Sequence, residues 1–222
     1  MTDSPAIQSP PGPIDPAQCR SIILFGGTFD PPHIGHVLLP EWVRQRLHAD
    51  AVAYIPAAAS PLKLGRATPA AHRLAMLRLA LAEQPRALIL TDELDRAVEG
   101  KPSFTVDTLE ALRHRLGSSV QLRLLIGADQ FRLFHRWRSP QRIIELAEPV
   151  VLVRPPETAE SMLRDLPPGL DPEPWRSRLL TGLPVLDMSS TEIRRRAAAG
   201  ASIRDLVAPP VEQYIRTQGL YQ

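Results

Sequence analysis

The sequence predicts an α/β protein, a parallel sheet flanked by helices with a small helical part at its C-terminal end. Two observations carry this. Short apolar runs alternate with stretches of helical periodicity from about residue 21 onward, as strand–helix crossovers in a parallel sheet require. At 222 residues and 44% apolar composition, the chain can also bury a full core as one domain, expected over residues 19–222.

The strand pattern starts with Ser21-Ile-Ile-Leu-Phe-Gly26, an apolar run suited to burial on both faces, and continues at Ala51–Ile55, Ala87–Thr91, Gln121–Ile126 and Val150–Arg154. Helices are expected at His36–His48, Ala70–Glu83 and Thr105–Leu116, the last placing Val106, Leu109, Leu112 and Leu116 on one stripe. Pro40 fits the first of these only within its opening turn. Pro155–Trp175 breaks the alternation with six prolines and reads as a surface loop. A short strand near Pro184–Met188 and helices at Ser190–Ala199 and Pro210–Thr217 complete the chain, making 190–222 helical. Five prolines among the first 18 residues mark Met1–Gln18 as a disordered tail, dispensable for catalysis.

Lys and Arg number 26 against 24 Asp and Glu, a balance that does not call for nucleic-acid binding. Cys19 is the sole cysteine, so an intramolecular disulfide is excluded and a reducing compartment fits. No apolar stretch approaches the roughly 18 residues that span a bilayer, and a cytoplasmic location is expected.

In open parallel sheets ligands collect beyond the carboxyl ends of the strands, so the strand–helix junctions are the places to search. The first reads Gly26-Gly27-Thr28-Phe29-Asp30-Pro31-Pro32-His33-Ile34-Gly35-His36. Its glycines allow close backbone approach, and the helix start that follows favours phosphate. It is neither the dinucleotide fingerprint nor the P-loop. His33 and His36, three apart, can both donate to phosphate oxygens. A metal pair would need a third ligand, and Asp30 is set off by two prolines; capping or packing histidines are the plainer alternative.

The second junction delivers one cation, Lys63, from a proline-stiffened loop. The third, Pro102–Asp107, reads as a helix start capped by Ser103 or Thr105. At the fourth, Gly127 and Asp129 follow a strand, and Asp129 can bridge ribose hydroxyls; Phe131, Phe134 and Trp137 then recur every third residue, a spacing typical of core packing, though one ring can face a planar substrate. Ser189-Ser190-Thr191-Glu192-Ile193-Arg194 combines a capping box between Ser189 and Glu192 with an arginine aimed from the same helix start, a second phosphate-binding element.

Taken together, His33-Ile-Gly-His36 and Ser189–Arg194 resemble the two motifs of the nucleotidylyltransferase superfamily. Ser103-Phe-Thr-Val-Asp-Thr108, Ile126-Gly-Ala-Asp129, Trp137 and Gly219-Leu-Tyr221 resemble its bacterial nicotinate-nucleotide adenylyltransferase branch, with similarity in order from about Ile22 to Tyr221. The resemblance implies a Rossmann-like fold and transfer of the adenylyl group of ATP, with Mg²⁺, to nicotinate mononucleotide, giving deamido-NAD and pyrophosphate in NAD biosynthesis. It assigns catalysis to His33, His36, Lys63 and Arg194. ATP would be held by Gly26, Gly27, Thr28, Phe29, both histidines, Gly127, Asp129, Arg154, Ser189, Ser190, Thr191 and Arg194. The nicotinate nucleotide would meet Thr28, Lys63, Phe104, Thr105, Asp129 and Trp137. No resident metal site, nucleic acid or membrane is implied, and the oligomeric state stays open. Leu62, Phe104 and Met188 depart from the histidine, tyrosine and isoleucine common there. Alternatives keep the chemistry on nicotinamide mononucleotide or phosphopantetheine, or make the chain a non-catalytic ATP sensor or a metal hydrolase.

Overall fold

A computed structural model describes residues 14–58, 67–98, 103–186 and 188–222. Six strands, β1 (Ser21–Gly27), β2 (Ala51–Pro56), β3 (Ala87–Ile89), β4 (Gln121–Gly127), β5 (Glu148–Leu152) and β6 (Leu179–Leu180), form one sheet in the order β3-β2-β1-β4-β5-β6. Every pairing is parallel. The chain builds outward from β1 to β3, then returns to lay β4 on the other side of β1. The carboxyl ends of β1 and β4 therefore flank the point where strand order reverses, the crevice in which such sheets bind ligands.

The helices are α1 (Ile34–Arg46), α2 (Ala70–Ala80), α3 (Asp92–Val98), α4 (Thr105–Leu116), α5 (Ala128–Arg132), α6 (Pro140–Leu146), α7 (Ala159–Arg164), α8 (Pro172–Arg176), α9 (Ser190–Ala198) and α10 (Pro209–Thr217). One face of the sheet packs Ile22, Leu24 and Leu124 against Val106, Leu109 and Leu112 of α4 and Phe131, Phe134 and Ile143, as the predicted α4 stripe requires. The other face packs Ile23, Val52 and Tyr54 against Leu39 and Val43 of α1 and Leu77 of α2. A third cluster joins Met76 of α2 to Ile193, Val211 and Ile215, which fastens the C-terminal helices to the body.

Five expectations need correction. The stretch 155–175 is not a surface loop: it holds α7 and α8, and Trp175, 2% exposed, lies 4.6 Å from the Phe131 ring and 5.9 Å from Phe134 in the main core. Prolines at 172 and 174 disguised that segment, because proline is well tolerated in a first helical turn. The last strand is Leu179–Leu180, paired with Val151 and Leu152, rather than 184–188. Leu183 and Leu186 instead pack as extended chain against the second cluster. The final residues of the expected tail are ordered: Asp15 accepts from Ala17 N–H at 2.9 Å to cap the 3-10 turn Pro16–Gln18, and Ile14 packs on the core. Pro40 sits in the interior of α1, buried, where it leaves the His36 carbonyl without the usual helical donor. Helices α3 and α6 were not foreseen, and α3 supplies polar anchors near the site.

Candidate active site

At the end of β1 the two glycines have different duties. A Cβ on Gly26 would meet nothing within 4 Å, whereas one on Gly27 would sit 2.9 Å from the Phe29 ring. Gly26 thus opens space in the crevice and Gly27 makes room for the core. Phe29, at φ 50°, turns its ring inward, 1% exposed, and presents an edge to His36 with centroids 5.2 Å apart. Its side chain belongs to the core and orients His36, leaving the backbone as the part that can face ATP.

His33 precedes α1 and stacks on His36, ring centroids 3.6 Å apart. The His36 Nδ1 accepts from the His33 backbone N–H at 3.2 Å, so part of the packing and capping alternative is realised. That bond leaves the opposite edge of the ring, Nε2, to be protonated in the neutral tautomer. His33 is 8% exposed, and its Nδ1 is a buried polar atom with no hydrogen-bond partner among the described residues. Burial, helped by the Arg154 charge, lowers its pKa to about 4, so the ring is neutral at physiological pH.

Asp30 is buried and engaged. Tyr221 Oη donates to Oδ1 at 2.6 Å and Thr68 N–H donates to Oδ2 at 3.0 Å. Burial opposes its charge, but these bonds and the Arg194 guanidinium more than offset that and hold the carboxyl below its ordinary range. Among the described residues no three His, Cys, Asp or Glu side chains converge as a metal site.

The segment around α9 closes on this turn. Ser190 Oγ donates to the Pro31 carbonyl at 2.9 Å, and Arg194 Nη1 donates to the Asp30 carbonyl at 2.7 Å. Gly35 N–H donates to Met188 Sδ at 3.2 Å, an acceptor that isoleucine would not offer. The expected capping box is half formed. Ser189 Oγ accepts from Glu192 N–H at 3.2 Å, but the Glu192 carboxylate turns to Arg195 and Arg196, two stronger cationic partners. Thr191 Oγ1 accepts from Arg194 at 3.2 Å.

Beyond β4, a Cβ on Gly127 would lie 2.6 Å from Asp129 Oδ1, so glycine makes room for the Asp129 carboxylate at the strand end, while Arg154 Nη2, at 3.8 Å, would meet it in ordinary contact. Asp129 itself is exposed at the start of α5. Phe104 precedes α4 without a side-chain cap, correcting the expectation for Ser103 or Thr105, and Thr105 opens the helix. Ser103 instead accepts from Arg96 of α3, which also bonds Thr108. The Arg138 guanidinium lies 4.7 Å over the Phe104 ring, and Trp137, half-buried, stands 5.4 Å from Phe134. The structure thus joins the Gly26–His36 turn to Ser190 and Arg194 and sets Asp129 and Arg154 beside Gly127 at the β4 end; Lys63 and its loop lie outside the described residues. Sequence reasoning missed Arg73, Arg96 and the bond from Tyr221 to Asp30. Arg73 left a signal, a charged residue on the otherwise apolar stripe with Met76 and Leu77.

The model of the cytidylyltransferase-like family matches residues 24–196. A protein of Roseiflexus named probable nicotinate-nucleotide adenylyltransferase is 42% identical over 90% of this chain and 96% of its own. One of Yersinia pestis with the same name is 34% identical over 95% and 99%. The structure of the Plasmodium falciparum nicotinic acid mononucleotide adenylyltransferase complexed with NaAD superposes with a TM-score of 0.70 at 17% identity, covering 91% of this chain and 97% of that one. At that identity the match speaks for the Rossmann-like fold.

Proposed function

Because the chain belongs to the cytidylyltransferase-like family, and within it to the nicotinate-nucleotide adenylyltransferases, we propose that it joins ATP to nicotinate mononucleotide, releasing pyrophosphate and forming deamido-NAD. The observation that carries this reading is the stacked His33–His36 pair, one ring with an orphaned buried nitrogen, set between the β1 end and α9.

The 5′-phosphate of the mononucleotide is a competent anion near neutral pH. One of its oxygens attacks the α-phosphorus of ATP in line; a new P–O bond forms there as the bond to the β-phosphate bridge breaks and pyrophosphate leaves. The protein's task is alignment and stabilisation of charge. His36, held by Phe29 and by the His33 amide, donates to oxygen at the α-phosphate. Neutral His33 contributes a hydrogen bond rather than a positive charge, so the cationic share falls to Arg194, Arg154 and Lys63. Mg²⁺ arrives as part of the MgATP substrate. The engagement of Asp30 by Tyr221 and Thr68 fits an ion carried by the phosphates rather than by a protein cage.

On the acceptor side, the α4 start has no side-chain cap, and its backbone amides there suit a carboxylate, which the helix dipole also favours. Trp137 offers a face for the pyridine ring, and Asp129 an acceptor for ribose hydroxyls. No helix among the described residues is long and apolar enough to cross a membrane, and a cytoplasmic location in one catalytic domain belongs to the same proposal. Incubating the protein with ATP and nicotinate mononucleotide tests it: pyrophosphate release strictly dependent on the acceptor is expected. Tight ATP binding without pyrophosphate from any mononucleotide would replace the enzyme with a sensor.

A further inference from the structure

Arg73 of α2 is 1% exposed, yet its guanidinium hydrogen-bonds to no carboxylate among the described residues. It spends its donors on four main-chain carbonyls. Nε reaches Thr68 at 2.9 Å, Nη1 reaches Thr28 and Ala57 at 2.8 Å each, and Nη2 reaches Ala58 at 3.2 Å. These carbonyls belong to three stretches of chain: the turn after β1, the exit from β2, and the approach to α2. The Asp30 carboxylate takes the N–H of Thr68, whose carbonyl Arg73 holds, so Thr68 is gripped from both sides.

A buried cation whose hydrogen bonds all go to backbone, with the Asp30 charge acting only at longer range, is a poor choice for stability alone, since an apolar side chain of similar volume is often as good or better. Burial also lowers the Arg73 pKa, the expected sign for a cation removed from water. What the guanidinium offers is geometry: a planar fork whose donors fix several acceptors at set angles, which neither lysine nor an apolar residue reproduces. We propose that Arg73 is a positioning residue for adenylyl transfer, fixing Thr28 and the glycine turn against the chain that leaves β2 and enters α2. It touches no substrate; it sets where the turn presents its backbone. The proposal rests on the nucleotide reading of that turn.

Arg73→Lys and Arg73→Ala test it, with ATP affinity measured by calorimetry without acceptor, kcat by pyrophosphate release, and folding by circular dichroism. Misplacement of a turn by about 1 Å is expected to lower kcat on the order of 10²-fold in folded Arg73→Lys, with ATP affinity weakened as well. Millimolar guanidinium, but not methylammonium, is expected to recover about tenfold of the loss in Arg73→Ala, a rescue that a lost packing contact does not show. Folded Arg73→Lys with ATP affinity and kcat within about threefold of wild type overturns the proposal, that margin being well under 1 kcal/mol. Failure of both variants to fold assigns Arg73 to stability and overturns it equally. A wild type that binds ATP yet turns over no acceptor sinks the functional reading alone, because the affinity arm still judges Arg73.

Discussion

The two sides of the crevice are built by opposite means. On the side proposed for ATP, Asp30, Pro31, Gly35, Ser190 and Arg194 are hydrogen-bonded to one another or to Tyr221 and Met188, and the stacked histidines are buried or half-buried against Phe29. On the side proposed for the acceptor, Asp129 is exposed, Trp137 and Phe104 are half-buried, and the α4 start lacks a side-chain cap. A site that must hold the same triphosphate in one geometry gains from a pre-organised cradle. A wall that chooses among flat nucleotides can be assembled from a few aromatic faces and backbone amides, which are easily exchanged. Substitutions should therefore act on turnover at the first side and on acceptor KM at the second.

The largest effect is expected at His36. His36→Ala should lower kcat by about 10²-fold or more, as for other transition-state donors, with little change in folding. Turnover near wild type would break the comparison at its strongest point. Trp137→Ala comes next and should raise the KM for nicotinate mononucleotide by up to about tenfold, the scale of a lost aromatic stack, while leaving the KM for ATP unchanged. An equal rise in both would mean that the acceptor wall also shapes the cradle.

The adjacent glycines sharpen the contrast within a single turn. Gly27→Ala drives a methyl to 2.9 Å from the Phe29 ring and should cost about 1–3 kcal/mol of stability, read as a lower Tm. Gly26→Ala points into open space, so its Tm should hold while its ATP KM rises. A separate effect concerns pH. His33 titrates at about 4 folded against an ordinary 6.5, so the unfolded chain binds the extra proton first. Its contribution to stability is complete above pH 6.5 and drains away as pH falls toward 4. A urea titration series across that window should show wild type losing stability more steeply than His33→Gln, which removes the titrating group.

How much of this was legible in the sequence follows from how each part is encoded. The turn Gly26–His36 and the segment Ser189–Arg194 are contiguous, so their residues could be named from the local pattern together with the family resemblance, and the fold brings them together by way of Ser190 and Arg194. The strands read well because burial on both faces makes continuous apolar runs. What stayed hidden depends on partners distant in sequence. The Tyr221 hydroxyl meets Asp30 across 191 positions, and Arg96 ties α3 to Ser103 and Thr108, yet nothing beside any of them announces the bond. Trp175 was lost among prolines that happen to start a helix. Phe29 shows what a motif leaves out: its inverted backbone sends the ring into the core, so only its main chain can face the crevice.

The central claim is that the adenylyl group held by this cradle is passed to a carboxylate-bearing pyridine nucleotide. It is tested most directly by competition, with limiting MgATP offered to equal amounts of nicotinate and nicotinamide mononucleotides and the dinucleotide products separated by chromatography. Deamido-NAD as the dominant product is the result the α4 start predicts; NAD in equal or larger amount, or no dinucleotide at all, would contradict it.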